Sequence, residues 1–241
     1  MVAFPGPCMV GSIAANYIIE QLRMHQIAFV DSEFIIPGII YIGGKLRHPF
    51  RIYADNDGKI CIILCDIPII RTGIHSVLST VVKWIKKYNP KEVILLDGFP
   101  VEGIPGPDRK TLALSSDVKA AYNDGGLQPI GDDDDSDSKF MAFVEGTSGG
   151  FLASCLSDEI RCTGLYIPAS NGIPDSEGAA LLIESIGSLR HGILDINTSP
   201  LRRKGEKTRR QMEDLIKVML AQQQKQQEQG QPNARVERMY T

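Results

Sequence analysis

Alternating strand-like apolar runs and amphipathic helical stretches predict an α/β fold: a mainly parallel central sheet with helices on both faces and an antiparallel hairpin extension. Three observations carry this prediction. Residues Val2–Leu22 read as a short strand, a Gly/Pro turn and a helix. Residues Glu92–Asp97, "EVILLD", form the unbroken apolar run of a parallel strand covered on both faces. Between them, Gly43-Gly44 and Asn56-Asp57-Gly58 punctuate β-branched and aromatic runs as hairpin turns do.

In the first unit, Ile13, Tyr17 and Ile18 share one helix face and Ser12 is placed to cap its start. Residues Phe34–Ile69 accommodate two or three antiparallel strands. From Thr72 to Tyr88, the apolar Ile74, Val77, Val81, Trp84, Ile85 and Tyr88 recur at helical spacing, with Thr72 as cap and Asn89-Pro90 as stop. After Glu92–Asp97 the same grammar repeats: a strand over Phe140–Val144, a helix over Gly150–Glu159, a strand over Thr163–Pro168 and a helix over Asp175–Leu189. An α/β core domain over residues 1–200 follows.

Beyond Pro200 the composition changes. Residues Arg202–Arg210 hold six basic side chains against the single acid Glu206, and Met212, Leu215, Ile216 and Met219 then form an i, i+3, i+4, i+7 stripe. This is an amphipathic helix over residues 201–221, whose apolar face docks on the domain or on a neighbouring subunit. Residues 222–241 are Gln-rich, with too little apolar surface to offset the entropy of ordering, and read as a flexible tail that ends in Met239-Tyr240-Thr241.

With 241 residues, 43% of them hydrophobic, the chain can bury one core of this size. A net charge of -3 excludes general adsorption to nucleic acid or to an anionic membrane, which needs a dense positive excess. The five cysteines are odd in number and contain no C-x-x-C pair, as suits reduced thiols. No run approaches the ~20 apolar residues that span a bilayer, and Pro5, Gly6 and Pro7 interrupt the start where a signal sequence is continuous. A cytoplasmic location is the expectation.

Chemical motifs are sparse. The loop Gly6–Ser12 sets Gly6, Gly11 and Ser12 at a helix start, where free amides can cradle an anion, but no Lys follows Gly11 and no dinucleotide fingerprint is present. A structural turn is the favoured reading there. The loop Glu145–Gly150, with Gly146, Thr147 and Ser148, follows a strand and opens a helix, at the edge where α/β proteins bind ligands. "GDDDDSDS", Gly131–Ser138, fails as a calcium loop because Lys139 stands where the loop needs glycine. The histidines His25, His48, His75 and His191 are scattered, and no G-x-S-x-G elbow occurs. No catalytic residue, metal or cofactor is therefore assigned.

The words "FPGPCMVGSIAANYIIEQL", "GIIYIGG", "DIPI", "VILLDGFPVEG", "GTSGGFLAS" and "GIPDSEGAALLIESI", in this order, resemble the proteasome assembly chaperone family, in particular its archaeal members. The resemblance covers residues 3 to about 190. It implies a nucleoside-phosphorylase-like layout, a homo-oligomer and no catalysis. Archaeal members with a working tail end in a hydrophobic residue, a tyrosine and one further residue, and Met239, Tyr240 and Thr241 match that pattern. The implied partner is the α ring of the proteasome core particle, reached by a terminal carboxylate that pairs with a lysine and by the flat face of Tyr240. The alternative is a nucleoside- or nucleotide-metabolising enzyme that uses the two glycine loops.

Overall fold

A computed structural model describes residues 1–6, 9–116, 128–129, 143–170, 173–189 and 192–229. Its centre is β1 (Val2–Ala3), which pairs in parallel with β6 (Cys61–Cys65) on one side and β7 (Val93–Val101) on the other. Next to β7 runs β10 (Cys162–Ser170), also parallel, in continuous register from Cys162 opposite Val93 to Ser170 opposite Val101. Antiparallel pairings adjoin this centre on both sides. On one side lie β5 (Phe50–Ala54) and the edge strand β2 (His25–Phe29), and on the other β8 (Leu112–Ser115), with β9 (Gln128–Pro129) outermost. A separate hairpin joins β3 (Ile40–Ile42) to β4 (Lys45–Arg47). The layout is thus the expected α/β sheet with a hairpin extension.

Strand alternation sorts the core onto two faces, because successive side chains point to opposite sides of a sheet. Ala3, Ile62, Leu64, Ile94, Leu96, Leu165 and Ile167 face α1 (Val10–Gln21) and α4 (Ser176–Leu189). Val2, Ile63, Val93, Leu95 and Tyr166 face α2 (Ile74–Tyr88) and α3 (Gly146–Ser157). Each aliphatic side chain buried this way contributes about 1.5–3 kcal/mol. Small residues let the helices lie close. Ala14 and Ala15 of α1 and Ala179 and Ala180 of α4 are fully buried, and a Cβ on Gly11 would stand 2.0 Å from the Leu96 carbonyl oxygen.

Several local expectations are corrected. Helix α1 starts at Val10, so its cap position falls on Met9, in a left-handed conformation, and Ser12 is buried inside the first turn. Helix α2 starts at Ile74 after a 3-10 turn, Arg71–Gly73, so Thr72 does not cap it. Phe34–Ile69 holds four strands rather than two or three, because each turn signal closes its own hairpin. Strand β2 was not anticipated. Phe143 and Val144 belong to no strand, and Phe140–Ala142 lie outside the described residues. Helix α3 begins at Gly146 rather than at Gly150.

The last helix, α5 (Ser199–Gln229), continues past Ala221. Its first half docks on α4. Leu201 is buried, and a Cβ on Gly205 would stand 2.4 Å from the Glu177 backbone nitrogen. Arg202 makes a two-pronged ion pair with Glu184, which also accepts from the Thr198 hydroxyl at 2.5 Å, and Arg209 bridges to Glu177 at 3.3 Å. Of the apolar stripe, Met212 is partly buried, whereas Leu215, Ile216 and Met219 are 52%, 41% and 54% exposed.

Replacing a helical glycine by alanine ordinarily stabilises, by about 0.5–1 kcal/mol. Gly11→Ala should instead destabilise by about 1–3 kcal/mol, since the methyl collides with backbone that cannot yield. Gly187→Ala, with its Cβ 3.7 Å from the nearest atom, should not. Urea unfolding of the two variants checks the contrast. Burial disfavours the charged Glu184, yet the Arg202 and Thr198 hydrogen bonds prevail and hold its carboxyl below the ordinary glutamate value. A depressed folded-state value contributes stability above the unfolded-state value and loses it as pH falls through the folded one. Glu184→Gln should therefore lower stability by about 0.5–1 kcal/mol at pH 7, a figure limited by solvent screening, and the deficit should vanish in acid below the normal glutamate range. Melting curves against pH read this out.

Candidate functional site

Helix α1 leaves β1 toward one face, while α2, which leads into β7, covers the other. Such divergence at the carboxyl ends of parallel strands opens the crevice where α/β sheets hold ligands. Both glycine loops converge here. Gly6 follows β1 so closely that a Cβ on it would lie 2.6 Å from Asp97 Oδ1, and the Ser148 hydroxyl, in the first turn of α3, donates to Asp97 Oδ2 at 2.5 Å. Asp97 Oδ1 also accepts the backbone N–H of Gly98 at 2.8 Å.

Asp97 was not singled out from the sequence, although it ends the predicted strand Glu92–Asp97. Desolvation by burial pushes its carboxyl above the ordinary aspartate value, against the two hydrogen bonds that favour the anion. Across the strand pair, Tyr166 is opposite Asp97 and 5% exposed; desolvation first, then the Asp97 charge, pushes its phenol up. The arrangement is a half-shielded acid that can accept or hold a proton at the sheet edge, beside the amides that open α3.

The candidate residues separate by role. Gly6 and Ser148 contact Asp97. Gly146, exposed with φ +74°, starts α3, and Thr147 is partly buried in its first turn. Gly11 and Ser12 lie inside α1, Gly11 serving the close approach to β7 and the Ser12 carbonyl accepting from Asn16 Nδ2 at 3.0 Å. Met239, Tyr240 and Thr241 lie outside the described residues. Where β10 leads into α4, a cavity of about 30 Å³ sits among Arg109, Ser170, Asp175, Glu177 and Arg209 beneath α5, which is room for a water or two. Arg109 pairs there with Asp175 at 2.7 Å, and Asp175 caps α4 through the Gly178 N–H at 2.8 Å. Among the described residues, no group of three His, Cys, Asp or Glu side chains could hold a metal ion, and no helix is long and apolar enough to cross a membrane.

The chain is similar over most of its length to solved structures. A protein of unknown function from Thermoplasma acidophilum is 31% identical, with 93% of this chain and 88% of that one covered and a TM-score of 0.73. Pyrococcus furiosus PbaA, an archaeal homolog of proteasome-assembly chaperone, is 23% identical with 95% and 91% covered and a TM-score of 0.75. Pyrococcus furiosus PbaB, an archaeal proteasome activator, is 18% identical with 90% and 92% covered and a TM-score of 0.70. At those identities the two Pyrococcus proteins establish a shared fold. A family model matches residues 1–216, and the chain belongs to the PAC2 family.

Proposed function

We propose that this chain is a non-catalytic proteasome assembly chaperone or activator-like factor, which binds the α ring of the core particle through Met239, Tyr240 and Thr241. The observation that carries the reading is the family match over residues 1–216, with PbaA and PbaB as neighbours in fold. The sequence ending supports it, because a hydrophobic residue and a tyrosine stand at the far side of a polar, Gln-rich stretch.

Helix α5 fits the same account. Anchored at Leu201, Gly205 and Arg209, it runs on to Gln229, about 25 Å past Met212 at 1.5 Å per residue. Beyond Met212 its side chains through Gln222 are mostly exposed, so the helix leads away from the packed domain. A three-residue ligand makes few contacts and binds weakly alone. Several copies on one homo-oligomer, set over a ring of identical pockets, gain through effective concentration. The domain then serves as the platform, working in the cytoplasm where core particles assemble.

A second reading, a small-molecule or nucleotide site, draws on the convergence of Gly6 and Ser148 upon Asp97.

Deleting Met239–Thr241 should abolish binding to purified α rings, measured by co-elution, while leaving the melting temperature unchanged. Equal binding by the shortened chain rejects the tail assignment. A thermal-shift screen against phosphate, nucleosides and nucleotides addresses the second reading: the chaperone account expects no stabilisation, whereas a shift abolished by Asp97→Asn would support a ligand site.

A further inference from the structure

Among the described residues, the strands of the β3–β4 hairpin pair only with each other, and none of residues 40–47 is buried. Tyr41 and Leu46 stand directly opposite each other on one face, 71% and 68% exposed. On the other face Ile42 and Lys45 are exposed as well. A lone two-stranded hairpin is at best marginally stable in water, so a hairpin bare on both faces lacks the packing that would hold it.

The bare surface continues beyond the hairpin. Phe29, half exposed on the edge strand β2, stacks on His48 just after β4, with ring centroids 3.8 Å apart and planes 4° apart. A bridge between Ile35 and Ile69 joins the segments that carry exposed Ile36 and Ile70. Tyr41, Ile42, Leu46, Phe29, Ile36 and Ile70 together leave on the order of 700 Å² bare, more than the roughly 300–600 Å² of the largest patch on a typical monomer and close to the ~800 Å² that each partner gives to a standard interface.

The charges around this patch favour a second copy of the chain as its occupant. Asp31 and Glu33 lie in the connection between Phe29 and Ile36, and Lys45 and Arg47 share one face of β4. Among the described residues none of the four forms an ion pair. A nucleic acid or an anionic membrane needs a surplus of one sign; here two acids balance two bases around an apolar centre. Such a face is self-complementary. When two copies meet about a two-fold axis, the bases of each can stand opposite the acids of the other.

We propose that this face joins two copies of the chain, with Tyr41 and Leu46 at the buried centre and Lys45 and Arg47 of each copy opposite Asp31 and Glu33 of the other. The contact runs through side chains rather than through an extended ladder. Register slips in β2 between Gln26 and Ala28, a bulge of the kind that turns an edge strand away from further pairing. The inference deepens the homo-oligomer part of the proposed function, on which it bears alone, and the experiment contains no α ring, so its failure is distinct from failure of the tail assignment.

Sedimentation equilibrium of the full chain tests it. The expected mass is twice that of one chain, or an even multiple. Leu46→Glu should at least halve that mass while keeping the circular dichroism of a folded chain, because Leu46 is exposed within one copy. Two further variants read the charges: one carries Lys45→Glu with Arg47→Glu, the other Asp31→Lys with Glu33→Lys. Each alone should self-associate about tenfold more weakly or worse, since like charges then face each other. Mixed in equal amounts, the two should pair again, which repair of a damaged fold cannot explain. A monomeric parent chain, an unchanged mass in Leu46→Glu, or a mixture no heavier than its separate components would overturn the proposal. So would loss of the oligomer in Ile216→Glu, on the exposed stripe of α5, but not in Leu46→Glu.

Discussion

The structure depends on four parallel strands, β6, β1, β7 and β10, being covered on both faces at once. Leu95 and Leu96 in β7, and Leu165 and Tyr166 in β10, are buried although neighbours along each strand point to opposite faces. Such a sheet needs a helix layer on each side, and crossover connections supply them: α1 and α4 on one face, α2 and α3 on the other. Close approach follows from the same constraint. Gly11 brings α1 against the Leu96 carbonyl, and Gly205 brings α5 against the start of α4. Where the covering layers diverge, at the carboxyl ends of the strands, the sheet leaves room for a polar group, and Asp97 occupies it.

Much of this architecture could be read from residues alone because it rests on local periodicity. The runs that became β7 and β10 are apolar without alternation, and the α2 stripe Val77, Val81 and Ile85 is buried as its spacing implied. Features decided by distant contacts were less legible. Strand β2, "HQIAF", is a half-exposed edge whose identity comes from pairing with β5, and nothing in those five residues announces it. Tyr88 continues the α2 stripe on paper, yet it sits in the final turn beyond the core, 62% exposed and against Trp84. Buried Arg51, paired with Asp66 and donating to the His48 carbonyl at 2.7 Å, is likewise invisible to a pattern of apolar positions.

The candidate site divides the same way. Both glycine loops were visible as loops that open helices, but the residue that unites them was not, since Asp97 gains its character from Gly6 and Ser148, on elements far from it in sequence. Helix α5 shows a further limit of burial arguments. Glutamine is a good helix former, and a helix already anchored on a domain elongates without a new nucleation step.

The proposed function separates platform from ligand: the PAC2 domain with α5 running on from it as platform, and a short terminal sequence that, on this proposal, a ring of pockets would recognise by its carboxylate and its aromatic ring. Its central claim is that the free end of the chain is the ligand. Competition for α-ring binding by a synthetic peptide of residues 230–241 tests this most directly. The account predicts that the peptide with a free carboxylate displaces the full chain and that the same peptide amidated at Thr241 does not; equal displacement by both, or by neither at saturating concentration, would contradict it.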